Sequence, residues 1–230
     1  MKRILTVMAC LGAAIALHGQ NLILEAGGGL ARHFSDTKNV GAYKLGLGLE
    51  FELGQTWAIE PALVYYGKGW REKDETVIYR DENGDPILDE ETEEPVTGTK
   101  RTTYTAGYVE LPVLVHYYLR TGEAQYLKFS AGPYVACGVS GKMKVEGDAD
   151  REGSDKMFYT RKTFSQPGIK RWDAGVQVRV SYQVNRNISV GAETDLGLVK
   201  VVPQGRRNCT AMISLAWHFR ESLDALISQQ

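Results

Sequence analysis

The sequence predicts an all-β fold, an eight-stranded antiparallel up-and-down transmembrane β-barrel. Three observations carry that expectation. About eight segments alternate apolar and polar residues with period two. Their connections alternate between long and short. The aromatic residues of the apolar faces gather at both ends and leave an aliphatic band between them.

The clearest segment is 43–53. Tyr43, Leu45, Leu47, Leu49, Phe51 and Leu53 share one face, and Lys44, Gly46, Gly48, Glu50 and Glu52 share the other. A strand sends successive side chains to opposite faces, whereas a helix would spread both sets around its circumference. Alternation alone leaves two facings open. A soluble sandwich buries the apolar face. A membrane barrel turns it to lipid and fills its interior with the polar one.

Residues 1–19 read as a secretory signal peptide, with Lys2 and Arg3 ahead of the apolar run 4–17 and cleavage expected after Gly19. The run is shorter than the ~20 residues of a membrane-spanning helix. A lipoprotein signal ending at Cys10 would leave too short an apolar region before the cut. Removing 1–19 takes the net charge from -1 to -3.

The first strand is expected at 22–31, with Leu22, Leu24, Ala26, Gly28 and Leu30 on its apolar face. Segment 43–53 is the second. Gly54, Gln55 and Thr56 make a tight turn into the third, 57–67. Residues 68–103 form a long polar excursion, strongly acidic through 81–94. Asp81-Glu82-Asn83-Gly84-Asp85 is the turn chemistry of a small hairpin within it. The fourth and fifth strands are 104–120 and 125–145, and a second long polar loop is 146–168. Strands 169–184, 188–201 and 210–219 complete the set, with Asn185-Arg186-Asn187 as a tight turn. Residues 220–230 form a periplasmic tail in which Leu223, Leu226 and Ile227 have helical spacing.

The polar face carries Glu25, Lys44, Glu50, Glu52, Glu60, Glu110, His116, Lys128, Asp173, Arg179, Glu193 and Asp195. An eight-stranded barrel is just wide enough for side chains to fill it, so these charges are expected to pair as a lumen network. On the apolar face Tyr43, Tyr65 and Trp172 fall toward the long loops. Trp57, Tyr117, Tyr182, Trp217 and Phe219 fall toward the short turns. Two such belts are what the two membrane interfaces select. Pro61, Pro112 and Pro133 lie inside strands, and a closed barrel has no edge for them, so each is expected at a bulge or a strand end.

A net charge near zero gives no footprint for nucleic acid. No cofactor or metal is implied. Asp81, Asn83 and Asp85 have the spacing of the first three ligands of a calcium loop. Pro86 stands where the sharp-turn glycine belongs, however, and Thr92 where a bidentate glutamate belongs. Cys137 and Cys209 remain after processing and are expected to stay unpaired. No catalytic residue is assigned. His116 shares the lumen face with Glu110 and with Ser130 of the neighbouring strand, which keeps a barrel enzyme acting on lipid or peptide as the alternative. Eight strands leave no open aqueous channel. The expected role is therefore non-enzymatic: a structural or surface-interaction protein of the cell outer membrane, surrounded by outer-membrane lipid, with loops free for a protein partner.

Four motifs then occur in order: Ala58-Ile59-Glu60-Pro61-Ala62-Leu63-Val64-Tyr65-Tyr66, Tyr108-Val109-Glu110-Leu111-Pro112-Val113-Leu114, Ser130-Ala131-Gly132-Pro133-Tyr134 and Asp173-Ala174-Gly175. Together they resemble the successive strand motifs of the PorT-like outer-membrane β-barrel proteins of Bacteroidetes. The resemblance covers nearly all of the chain beyond the signal. It implies an eight-stranded outer-membrane barrel. Through the founding member it implies an accessory role in protein secretion, with a surface or secretion-system protein as partner. The three prolines fall inside these motifs. Residues beyond Phe219 depart from the pattern, since such barrels usually stop at the final aromatic.

Overall fold

Period-two alternation sets the architecture. The computed structural model describes residues 20–34, 37–81, 83–122, 125–147 and 159–219. The expected signal peptide, the C-terminal tail and part of the second long loop lie outside them. The strands are β1 (Gln20–His33), β2 (Val40–Glu52), β3 (Trp57–Arg71), β4 (Glu75–Ile78), β5 (Thr97–Arg120), β6 (Tyr126–Ser140), β7 (Lys142–Gly147), β8 (Tyr159–Lys162), β9 (Trp172–Gln183), β10 (Ile188–Gly197) and β11 (Asn208–His218).

Eight of them close a ring in the order β1-β2-β3-β5-β6-β9-β10-β11, every pair antiparallel. The ring is sealed by β11 against β1, from Ile23↔His218 to His33↔Asn208. The short connections are built from local turn chemistry. Gly54 adopts φ +100 between β2 and β3. Asn185 Oδ1 accepts from the backbone N–H groups of Asn187 and Ile188, each at 2.9 Å, between β9 and β10.

The facing left open by the sequence is decided by exposure. Leu24, Leu47, Leu63, Val113, Val178 and Ile213 are all more than a third exposed, while Glu25, Lys44, Glu60, Glu110 and Arg179 are at most 3% exposed. Apolar side chains point out of the ring and charged ones point in. A soluble fold inverts that arrangement.

The three prolines sit neither at strand ends nor at a bulge, contrary to expectation. Instead the ladder lapses beside each. Between β2 and β3 the register skips from Gly48↔Ala62 to Phe51↔Ile59, next to Pro61. Between β3 and β5 it skips from Pro61↔Val113 to Val64↔Glu110, next to Pro112. Between β5 and β6 it skips from Pro112↔Tyr134 to Val115↔Ala131, next to Pro133. Each proline keeps its pairing on the other side, as Pro133 does with Val176. Proline has no N–H to give, so one lapse per proline, on three consecutive ring strands, satisfies all three.

At the long-loop end the strands run farther than the alternation of apolar residues suggested. β3 continues to Arg71, and β5 begins at Thr97 and runs for 24 residues, where ~9–11 cross a membrane. Above the ring, β5 pairs with β4 on one side and with β7 on the other, and β8 pairs with β7. The expected fifth strand 125–145 is one continuous flank of β5, broken at Gly141 into β6 and β7. The expected seventh strand ends early, at Gly197. Val201 and Val202 turn inward instead and join Tyr66, Trp70, Tyr108 and Tyr134 in a buried apolar plug over this end of the interior.

Candidate functional site

The interior charges fall into three tiers. In the middle tier Lys44 Nζ lies 3.1 Å from Glu25 and 2.6 Å from Glu193. The Arg179 guanidinium completes the square, 2.8 Å from Glu25 and 2.7 Å from Glu193. Two cations face two carboxylates, supplied by β1, β2, β9 and β10. Buried as they are, each of these charges would be very costly alone.

The tier toward the short turns holds Glu50, Glu60, His116 and Lys128. His116 Nε2 lies 2.7 Å from Glu60 Oε2, and its Nδ1 lies 2.7 Å from Ser130 Oγ. Lys128 Nζ lies 3.5 Å from Glu50 and 3.9 Å from Glu60. The Tyr118 hydroxyl donates to Glu50. Glu50, Glu60 and His116 bring ligand atoms within 4.8 Å of one another. Lys128 already supplies the positive charge beside both carboxylates. Ser130, His116 and Glu60 also have the connectivity of a nucleophile, a base and an orienting acid. Ser130 is 3% exposed and the other two are wholly buried, so the hydroxyl has no approach for a substrate. Sequence reading set His116 on one face with Glu110 and Ser130; the structure brings it against Ser130 and Glu60, on β3.

The tier toward the long loops centres on a residue that sequence reading placed in the polar loop. Lys68 is buried inside the ring, 2.7 Å from Glu110 and 3.0 Å from Asp195. Its ammonium lies 4.2 Å from the Tyr66 ring centroid, 4.8 Å from Tyr134 and 5.8 Å from Tyr108. Asp173 accepts from Asn208 at 2.8 Å and from Tyr134 at 3.3 Å. Alternation could have found Lys68, because Glu60, Ala62, Val64, Tyr66, Lys68 and Trp70 are successive members of one face.

Eleven of the twelve charged residues expected in the lumen are thus inside it. Glu52 is not buried. It follows Glu50 on the same face but stands at the open mouth, accepting from Asn21 Nδ2 at 3.3 Å. It lines a shallow cavity of about 350 Å³ with Gln55, Trp57, Tyr118, Tyr126 and Gln183. The strand alternates past the rim, so periodicity alone cannot separate a mouth residue from an interior one.

Outside the ring, Tyr43, Trp57, Tyr65, Tyr117, Trp172, Tyr182 and Trp217 are 38–68% exposed, and Phe219 is half-buried just past β11. Tyr43 and Tyr65 adjoin with ring centroids 6.3 Å apart, as do Trp57 and Tyr117 at 5.1 Å. In the acidic hairpin Asp81 Oδ1 accepts from the N–H groups of Asn83 at 2.9 Å and Asp85 at 2.8 Å. That carboxylate closes a turn. Cys137 and Cys209 are free thiols.

A closed antiparallel ring with an apolar exterior and a paired, charged interior defines a transmembrane β-barrel, which satisfies every ring strand without an edge. Residues 12–202 match the family model described as outer membrane protein beta-barrel domain, and the chain belongs to that family, which places it in the outer membrane. Among solved structures, the Ail attachment invasion locus protein of Yersinia pestis is similar at 14% identity, with 88% of this chain and 100% of that one covered and a TM-score of 0.40. Neisserial surface protein A is similar at 12% identity, 86% and 96% coverage and a TM-score of 0.42. The N-terminal β-barrel domain of Pseudomonas aeruginosa OprF is similar at 13% identity, 86% and 97% coverage and a TM-score of 0.38. A search of the curated proteins gave no match.

Proposed function

We propose that the protein is a non-enzymatic outer-membrane barrel with a surface-interaction role, its long connections outside the cell. One observation carries this reading. The interior is closed by three tiers of ion pairs and an apolar plug, while β4, β5, β7 and β8 project as a sheet beyond the ring. A rigid ring that lifts irregular, charged loops clear of the membrane suits contact with a partner. The PorT-like motifs support an accessory role in protein secretion as the particular form of that contact. A photoreactive residue at Glu91 in the acidic loop tests this in intact cells. A discrete protein adduct is expected, and adducts to lipid alone would remove the surface-partner reading. Deletion of the gene with unchanged secreted proteins would remove the secretion role alone.

The runner-up is a barrel enzyme, favoured by the Ser130–His116–Glu60 chain. Its test is His116→Ala: an altered lipid A or peptide-product profile with the barrel still folded would revive it.

A further inference from the structure

A second cavity, of about 220 Å³, opens at the long-loop end against the apolar plug. Trp70 and Val202 of the plug line its floor. One wall is apolar, from Tyr104, Pro167, Ile169 and Pro203, and the other is polar, from Glu72, Gln166 and Gln204. The chain itself fixes these walls. The Lys170 N–H donates to the Val201 carbonyl at 2.9 Å, and the Gly205 N–H closes a turn onto the Val202 carbonyl at 2.9 Å. Gly168 packs so closely on Pro203 that a Cβ there would stand 2.4 Å from the proline ring. Tyr104 stacks on Trp70 with centroids 4.5 Å apart and the rings 10° from parallel. The polar groups are held as well. Glu72 accepts from Trp70 Nε1 at 3.0 Å and from Arg206 Nη1 at 2.5 Å, and Gln166 Nε2 donates to the Lys162 carbonyl at 3.1 Å. A pocket already formed loses little binding energy to ordering.

Three properties define what fits. The cavity is neutral, because Arg206 already balances the Glu72 carboxylate, and a fully charged ligand would find no counter-ion in it. It is small: sites for drug-sized molecules run ~300–1,000 Å³, so this one admits a single ring. It is also two-sided. Each Glu72 oxygen accepts one bond and has capacity for another, and a carboxamide both donates and accepts. Among the described residues, Gln166 Oε1 and the Gln204 amide have no partner. A pyranose meets all three conditions. It is uncharged and one ring in size, with C–H groups on its faces and hydroxyls around its rim. A peptide strand would need a row of free backbone groups beside it, whereas the backbone of these walls bonds to itself.

We propose that this cavity binds one neutral sugar ring of a cell-surface glycan. The apolar wall takes a C–H face of the ring, and Glu72, Gln166 and Gln204 take its hydroxyls. The proposal names a ligand class for the surface-interaction reading and rests on that reading.

Saturation-transfer NMR on the folded protein in detergent micelles tests it, with the methyl pyranosides of glucose, galactose, mannose and N-acetylglucosamine as probes. Transfer to the ring protons of at least one of them is expected. Gln166→Ala with Gln204→Ala should weaken that binding by about tenfold or more, the loss of two neutral hydrogen bonds. Gln55→Ala, at the short-turn mouth, should leave it unchanged. Heat-modifiable migration checks folding. Should the double variant fail to fold, Gln204→Ala alone, at an exposed position, is expected to lose part of the affinity. No transfer to any of the probes, or transfer untouched by the Gln166 and Gln204 substitutions, overturns the proposal. Loss on Gln55→Ala places the sugar at the other mouth and overturns it too. Tighter binding of methyl glucuronide than of methyl glucoside overturns the neutral assignment, and displacement of the sugar by the peptide Ala-Pro-Ala at equal concentration makes the cavity a peptide site. Core oligosaccharide cleaved from the cell's own lipopolysaccharide separates the sources: displacement of the probe supports a sugar of the same membrane, and no displacement supports a sugar arriving from outside. A Glu91 adduct that persists in the Gln166 and Gln204 variant keeps the surface-partner reading, whatever the outcome for the sugar.

Discussion

Replacing Lys68 by Met keeps an unbranched side chain, one atom shorter, and removes its charge. Glu110 and Asp195, at 2.7 and 3.0 Å, then lose their cation inside the ring, with Asp173 nearby adding a third carboxylate. Removing one member of a buried ion pair costs about 3–5 kcal/mol, because the remaining charge cannot be resolvated. The ammonium's contact with three tyrosine rings is lost as well, and contributes within that total. Lys38 is the control: its pair with Asp74 is exposed, and Lys38→Met should cost about 0–1 kcal/mol. Urea unfolding of the barrel in phosphatidylcholine vesicles, followed by tryptophan fluorescence, reads both. The double variant Lys68→Met with Glu110→Gln should recover part of the loss, giving a coupling of at least about 1 kcal/mol. If Lys68→Met costs no more than Lys38→Met, Lys68 belongs to the solvated loop where sequence reading put it, and the outer tier does not exist.

Three further outcomes are expected. Leu47→Arg places a cation on the outward band between Leu24 and Leu63, and should destabilise the inserted barrel by about 2–4 kcal/mol in the same urea assay; a harmless result would mean the facing is reversed. Gly132→Ala sets a Cβ 1.9 Å from the Val113 carbonyl oxygen, where the ladder lapses beside Pro133. It should cost at least about 1–3 kcal/mol, and a neutral result would remove the close approach. The Asp81 carboxyl is held below the usual carboxylate range, chiefly by the Asp85 N–H. Its contribution to hairpin order is therefore fully present above about pH 4 and lost as pH falls through the lower, folded value. A side-chain carbon titration by NMR should place its midpoint below that of an aspartate in an unstructured peptide, and a midpoint at or above that value contradicts the turn.

Most of the ring was legible because lipid outside and charge inside impose period two on every strand. Tyr43 to Leu53 shows it without exception, and the long and short connections followed from the same reading. What escaped lies where that pressure ends. Lys68 and Trp70 keep the inward parity of Glu60, but their outward partners are Gly67 and Gly69, so the apolar half of the signal vanishes and the segment reads as loop. β4, β7 and β8 cross no membrane, and their pairing is set by the long β5 beside them. Glu52 and Glu50 are alike in sequence and differ in height, which alternation does not encode. The lapses beside Pro61, Pro112 and Pro133 are relations between strands, invisible in any one of them. The link from His116 to Glu60 likewise joins β5 to β3.

Apolar side chains face lipid around an interior that lipid never reaches. The four tryptophans measure it directly. Trp57, Trp172 and Trp217 are 45–68% exposed on the outer surface, and Trp70 is 2% exposed. Single-tryptophan variants in vesicles of acyl-brominated phosphatidylcholine should show strong quenching at the first three positions and little at Trp70. Quenching at Trp70 equal to the others, or three outer tryptophans shielded from the brominated lipid, would contradict it.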